Sequence, residues 1–326
     1  MAPDTRQAAV RRRATDQWEH QFLANAEFLE RVGLSRKRAH DFVQRFVRLA
    51  REIPAPEALR AFDDPSALTA SSLLTEGDPE TSAFMLEFLE PLMKCVTIEG
   101  ELNLNCLAPL VGRCPITLVA NHQSHIDAPA ISWALRLASR TGRDLAERLV
   151  FLVGRFASQA PFARPALSLF GSLLVCSPRD INETPVDNEL MGRINRCAFR
   201  QARRLQSQGR VLALFPEGTR SLDGRPGPFL ASVYPYLVGT VVLPVRLENT
   251  QALLPNSGLV FKKAVASLTF GEPVFVGDRP TRPLPLPAAA LRRIEGTRGD
   301  RGRQAVLDEV AALCTGHAPG RASAHQ

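Results

Sequence analysis

The chain has 326 residues, 45% of them hydrophobic, which is enough to bury a substantial core and excludes a disordered polymer. Its 40 Lys and Arg against 33 Asp and Glu leave a formal charge of +7, which favours anionic partners (phosphorylated metabolites, lipid headgroups or nucleic acid) without choosing among them. The six cysteines form no Cys-x-x-Cys pair and keep no regular spacing, so neither a zinc ribbon nor a disulfide framework is indicated, and a reduced, cytoplasmic compartment fits.

Arg11, Arg12 and Arg13 are not followed by the apolar run of a secretory signal, and Asp4, Asp16 and Glu19 oppose a transit peptide. From Asp16 to about Met93 apolar residues recur at helical spacing, as in Phe22, Phe28, Leu29 and Val32, then Phe42, Phe46, Val47 and Leu49. Ser35 is placed to cap the second helix, and Pro54, Pro56, Pro65 and Pro79 divide the remainder, so a small N-terminal helical bundle is expected over 1–94.

From Cys95 the pattern changes to β-rich runs alternating with helical ones. Strands are predicted at Ile116–Ala120, Leu149–Val153, Leu173–Cys176, Val211–Phe215, Thr240–Val245 and Ala266–Phe270; helices are predicted at Pro129–Ser139, Phe162–Phe170 and Asn188–Ser207. Such alternation implies an α/β fold over 95–277, a mixed central sheet flanked by helices with ligands gathered at strand ends. Residues 278–326 read as a proline-rich loop over Asp278–Pro287, a terminal helix near Arg303–Leu313 and a small-residue tail. No run reaches the ~18 apolar residues of a spanning helix, since the best, Val233 to Val245, contains Pro235 and Pro244. The arginine groups at both ends, including Arg292, Arg293, Arg298, Arg301 and Arg303, are read first as solvated faces and second as peripheral contacts with an anionic membrane, at about 1 kcal/mol per charge near the surface. The expected location is cytoplasmic, with any membrane contact peripheral on its inner face.

Two stretches carry chemistry. In Ile116-Thr-Leu-Val-Ala-Asn-His-Gln-Ser-His-Ile-Asp-Ala-Pro129 a buried-type strand runs into polar residues and then a helix. On one continuous helix the five steps from His122 to Asp127 would turn about 500° and separate the side chains, so a joint task requires a strand-to-helix turn between them. A carboxylate at the helix start is favoured by the dipole, and there Asp127 could hold one imidazole nitrogen so that the other acts as a base. This is the base-and-orienter pair of hydrolytic triads, with a substrate hydroxyl in place of the serine. In Val211-Leu-Ala-Leu-Phe-Pro-Glu-Gly-Thr-Arg-Ser221 a second apolar strand ends in a tight polar loop. Gly218 allows a backbone conformation other residues resist, Arg220 offers a planar fork for a phosphate, and Glu217 is suited either to orient that arginine, to bond an acceptor hydroxyl or to serve structure. A third strand, within Gly171 to Arg179, ends at another arginine.

Together these blocks resemble the glycerolipid acyltransferase superfamily, over roughly Glu99 to Val276. The resemblance rests on Asn121-His122 through Asp127, on Phe215-Pro-Glu-Gly-Thr-Arg-Ser221, on Gly171–Arg179, and on Val242-Leu-Pro-Val245 followed by Phe270-Gly-Glu-Pro273. It implies attack of an acceptor hydroxyl on an acyl-CoA or acyl-carrier-protein thioester, with His122 as general base and Asp127 stabilising the imidazolium. It further implies that Arg220 and Arg179 bind the acceptor phosphate and that Glu217, Gly218 and Thr219 shape the acceptor site, with no metal and no cofactor beyond the acyl co-substrate.

Within the superfamily the chain is most similar to the soluble, plastid-type glycerol-3-phosphate acyltransferases, which carry a helical region before the catalytic one. It departs from them at Ser177-Pro-Arg-Asp180, where they are more basic, and at Leu222, where they have a second arginine. The Glu217 form of the loop is commoner in enzymes acylating lysophosphatidate, which stays as the alternative acceptor. A metal site on His125 and Asp127 lacks a third ligand at suitable spacing, and Ser124 lacks the Gly-x-Ser-x-Gly of a nucleophile elbow. An inactive lipid-binding scaffold would not need the intact His122, Asp127, Glu217 and Arg220, and no nucleic-acid motif accompanies the charge.

Overall fold

The computed structural model describes residues 17–177, 188–221, 224–277, 291–295 and 299–316. Among them a ten-stranded mixed sheet forms from β1 (Leu74–Thr75), β2 (Val96–Glu99), β3 (Ile116–Ala120), β4 (Leu149–Gly154), β5 (Gly171–Val175), β6 (Val211–Leu214), β7 (Thr240–Glu248), β8 (Ala266–Phe270), β9 (Val274–Val276) and β10 (Arg292–Ile294). The order is β1-β5-β4-β6-β3-β7-β8-β2, with β9 on β7 and β10 on β9. The five strands from β5 to β7 are parallel neighbours, so their C-terminal ends lie along one edge and their following loops meet there.

The principal helices are α1 (Asn25–Arg31), α2 (Arg36–Glu52), α3 (Pro79–Met93), α4 (Asp127–Ala138), α5 (Arg140–Glu147), α6 (Asn188–Ser207) and α7 (Asp300–Thr315). Every residue of β3 and of β6 is buried, because helices cover both faces of the sheet, and this explains their unbroken apolar runs. The strand pleat divides these runs between two cores. Leu118 and Ala213 face the layer of α1 to α5, while Val119, Leu212 and Leu214 face α6 and α7. The N-terminal helices share the first core rather than forming one of their own: Phe22 stacks on Phe46 at 3.9 Å, and Phe46 lies 5.3 Å from Phe88, in the cluster that also holds Ile131 and Leu118. Each such buried aromatic is worth roughly 1.5–3 kcal/mol relative to exposure.

Ser35 caps α2 as expected, accepting from Arg38 N. Pro79 does not interrupt a helix but begins one: it follows Asp78, whose carboxylate caps α3 at Thr81 N, and its missing N–H falls where none is needed. The helix expected over Phe162–Phe170 is replaced by two single turns, Pro161–Ala163 and Arg164–Leu167, because Pro161 and Pro165 can each start a turn but cannot donate within a longer one. The terminal helix is α7, longer than its prediction at both ends, whereas the Asp278–Pro287 loop lies outside the described residues. No helix among the described residues is long and apolar enough to cross a membrane.

Candidate active site

β3 delivers its last residue, Ala120, into a loop beside the end of β6, and the parallel register sets His122 level with Glu217 across these strand ends. Asn121 fastens the turn by pairing with β7 through its side chain: Nδ2 donates to Leu247 O at 2.9 Å and Oδ1 accepts from Leu247 N at 2.8 Å. The chain then doubles back into α4, which starts at Asp127, and the turn brings His122 Nδ1 to 2.8 Å from Asp127 Oδ2. The same oxygen accepts from Gln123 N at 2.6 Å and Ser124 N at 2.8 Å, so the carboxylate holds both the loop and the ring.

Because Oδ2 faces only donors, Nδ1 carries the hydrogen and Nε2 is left as the basic nitrogen. Asp127 is fully buried while the His122 side chain keeps 20% of its surface, enough for a substrate to reach it. Phe215 lies flat beneath the imidazole, with centroids 4.0 Å apart and planes 13° from parallel, and is itself stacked against Phe151 at 5.7 Å.

Glu217 is a staple between loops. Its Oε1 accepts from His122 N at 2.8 Å and its Oε2 from Gly227 N at 2.6 Å. Burial raises its pKa above the ordinary glutamate value, and the two backbone donors and His122 pull it part of the way back. With one oxygen bonded to each loop, Glu217 fixes the height of His122 relative to the Gly227 loop. Gly218 takes φ +71°, the left-handed region that favours glycine, and turns the chain back under Phe215 O.

Thr219 beyond it is exposed, and Arg220 is half-buried with Nη1 donating to Asn256 Oδ1 at 2.7 Å. Ser221 N donates to His122 O at 2.8 Å, closing the second loop on the first. Of the residues singled out in sequence, the structure gathers His122, Asp127, Glu217, Gly218, Thr219 and Arg220 at one edge of the sheet, while Arg179 lies outside the described residues. His125 is exposed, its ring edge-on to Phe162 at 5.2 Å, and Ser124 Oγ donates to Leu254 O at 2.7 Å. Phe215, Gln123 and Asn256 join these residues at the site. Phe215 carried a signal in its place between strand and Pro216, but nothing local to Asn256 flags it.

A groove of about 490 Å³ runs past Gln123 between Arg225, Gln251 and Ser267; His122 is not among its walls.

Residues 96–248 match the Acyltransferase family model. The matched segment runs from β2 through β7 and contains both motif loops, whereas Asn256 lies beyond it. Among solved structures the chain is similar to the 1-acyl-sn-glycerophosphate (LPA) acyltransferase PlsC from Thermotoga maritima, at 18% identity over 94% of each chain with a TM-score of 0.44. Among curated proteins no sequence matches.

Proposed function

We propose that the chain transfers a fatty acyl group from a thioester, carried by coenzyme A or an acyl-carrier protein, to a hydroxyl of glycerol-3-phosphate in phospholipid synthesis. The observation that carries this reading is the 2.8 Å bond from His122 Nδ1 to a buried Asp127 inside the segment that matches the Acyltransferase family model. The acceptor O–H gives its proton to His122 Nε2 as its oxygen attacks the thioester carbonyl carbon. The C–S bond then breaks and the departing thiolate takes the proton from the imidazolium. Ester and free thiol are the products, and no covalent acyl-enzyme is formed. Asp127 stabilises the imidazolium that develops, and general-base help of this kind is worth about 10²–10⁴ in rate. Positioning of the two substrates supplies much of the rest. Arg220, with Arg179, binds the acceptor phosphate in this proposal, Gly218 and Thr219 shape its pocket, and Glu217 acts by holding the His122 loop.

The test is thiol release from palmitoyl-CoA and from palmitoyl-carrier protein, each with glycerol-3-phosphate, with lysophosphatidate, and with no acceptor. Release that requires glycerol-3-phosphate is the expected result. Release that requires lysophosphatidate instead keeps the chemistry and replaces the acceptor; release indifferent to acceptor, or none at all, overturns the proposal.

A further inference from the structure

Asn256 joins the two motif loops although it belongs to neither. Its Nδ2 donates to Ser221 O at 2.7 Å and to Gln123 O at 3.0 Å, and its Oδ1 accepts from Arg220 Nη1 at 2.7 Å. The surroundings dictate which way the amide points: reversed, its oxygen would face two carbonyls and its NH₂ a guanidinium. Two backbone carbonyls, one beside His122 and one beside Arg220, therefore aim the single acceptor at the arginine. The other amino acids of similar shape cannot do this. Aspartate has no donor for the carbonyls, and glutamine is one methylene longer. Ser124 Oγ, bonded to Leu254 O at 2.7 Å, ties the segment carrying Asn256 to the start of the His122–Asp127 turn.

A long side chain such as Arg220 loses much rotamer freedom when it grips a ligand, and a fork already held in place loses less. We infer that Asn256 is a positioning residue that sets the Arg220 guanidinium for the phosphate of the acceptor and keeps that phosphate site in register with His122. The inference rests on the proposed acyl transfer to a phosphate-bearing acceptor. Asn256 itself touches no reacting atom; it acts through Arg220.

Two measurements test it. The first is steady-state kinetics of wild type, Asn256→Ala, Arg220→Ala and the double variant. Asn256→Ala is expected to raise KM for glycerol-3-phosphate about ten-fold, the scale of a lost hydrogen bond to a charged group, while KM for the thioester stays within two-fold. In the Arg220→Ala background the same change is expected to add nothing, because coupled residues are not additive. The second is the rise in melting temperature caused by glycerol-3-phosphate alone, present in wild type and diminished in Asn256→Ala. Should the alanine variant fail to fold, Asn256→Gln serves, since it keeps an amide for the carbonyls but its extra methylene displaces the oxygen from Arg220, and it is expected to raise the same KM. An unchanged acceptor KM, or a loss that adds fully to that of Arg220→Ala, overturns the inference and leaves the proposed function standing. A wild type that transfers to no phosphate acceptor and gains no stability from glycerol-3-phosphate overturns both.

Discussion

Asp127→Asn separates the charge of the orienting residue from its geometry. Oδ2 accepts from three donors, two of them the backbone N–H groups of Gln123 and Ser124, so an asparagine must leave its oxygen at that position. The amide therefore cannot turn its NH₂ to the ring, and His122 keeps the tautomer with Nε2 free, unlike the Ser-His-Asp triads in which the corresponding substitution locks the wrong tautomer and costs about 10⁴. What is lost is the charge. An imidazolium and a carboxylate about 4 Å apart between centres interact by about 4 kcal/mol at an effective dielectric near 20. At about 1.36 kcal/mol per decade this predicts a kcat lower by about 10³.

Stability should also suffer. The NH₂ takes the place of Oδ1, a buried atom with no hydrogen-bond partner, and an unpaired buried donor costs about 1–3 kcal/mol. Acceptor-dependent thiol release and urea unfolding measure the two effects. A folded Asp127→Asn enzyme within ten-fold of wild-type kcat would refute the assignment of Asp127 as stabiliser of a charged His122. Asp127→Ala is less informative, because it orphans all three donors at once.

Glu217→Gln should show the opposite dependence on pH from a salt-bridged carboxylate. A carboxyl whose folded pKa is raised favours folding while protonated, and that contribution disappears as pH rises through the folded value. The stability of wild type relative to Glu217→Gln should accordingly fall from the ordinary glutamate range upward and then flatten; denaturant unfolding across pH checks this, and a difference that grows with pH would contradict it. Phe215→Ala removes the platform under the imidazole and should cost about 2 kcal/mol, less than a fully buried phenylalanine, because Phe215 is half-buried. It should lower kcat with little change in acceptor KM, and a change confined to KM would argue that the stack does not orient His122.

Much of the architecture could be read from local patterns, and the exceptions have physical causes. β3 and β8 match their predicted bounds because their residues are buried on both faces or alternate cleanly, and α6 does so because its apolar stripe is long and regular. β1, β9 and β10 went unread because two or three residues carry no period, and β2 because it alternates only between half-buried and exposed positions. The turn between His122 and Asp127 was legible since both partners lie within five residues and strand and helix signals flank them. The job of Glu217 was not, because sequence cannot say that its two oxygens meet backbone groups of the His122 and Gly227 loops. Asn256 was invisible for the same reason on a larger scale: its partner Gln123 is 133 positions away, and the tertiary fold alone brings them together.

The most direct test of His122 as general base is the rate of acceptor-dependent thiol release by His122→Ala, measured with saturating thioester and acceptor, alongside its melting temperature. The expected rate is lower by at least about 10², with the protein still folded. A folded His122→Ala enzyme that releases thiol at the wild-type rate would contradict it, because the proton of the attacking hydroxyl would then leave by another route.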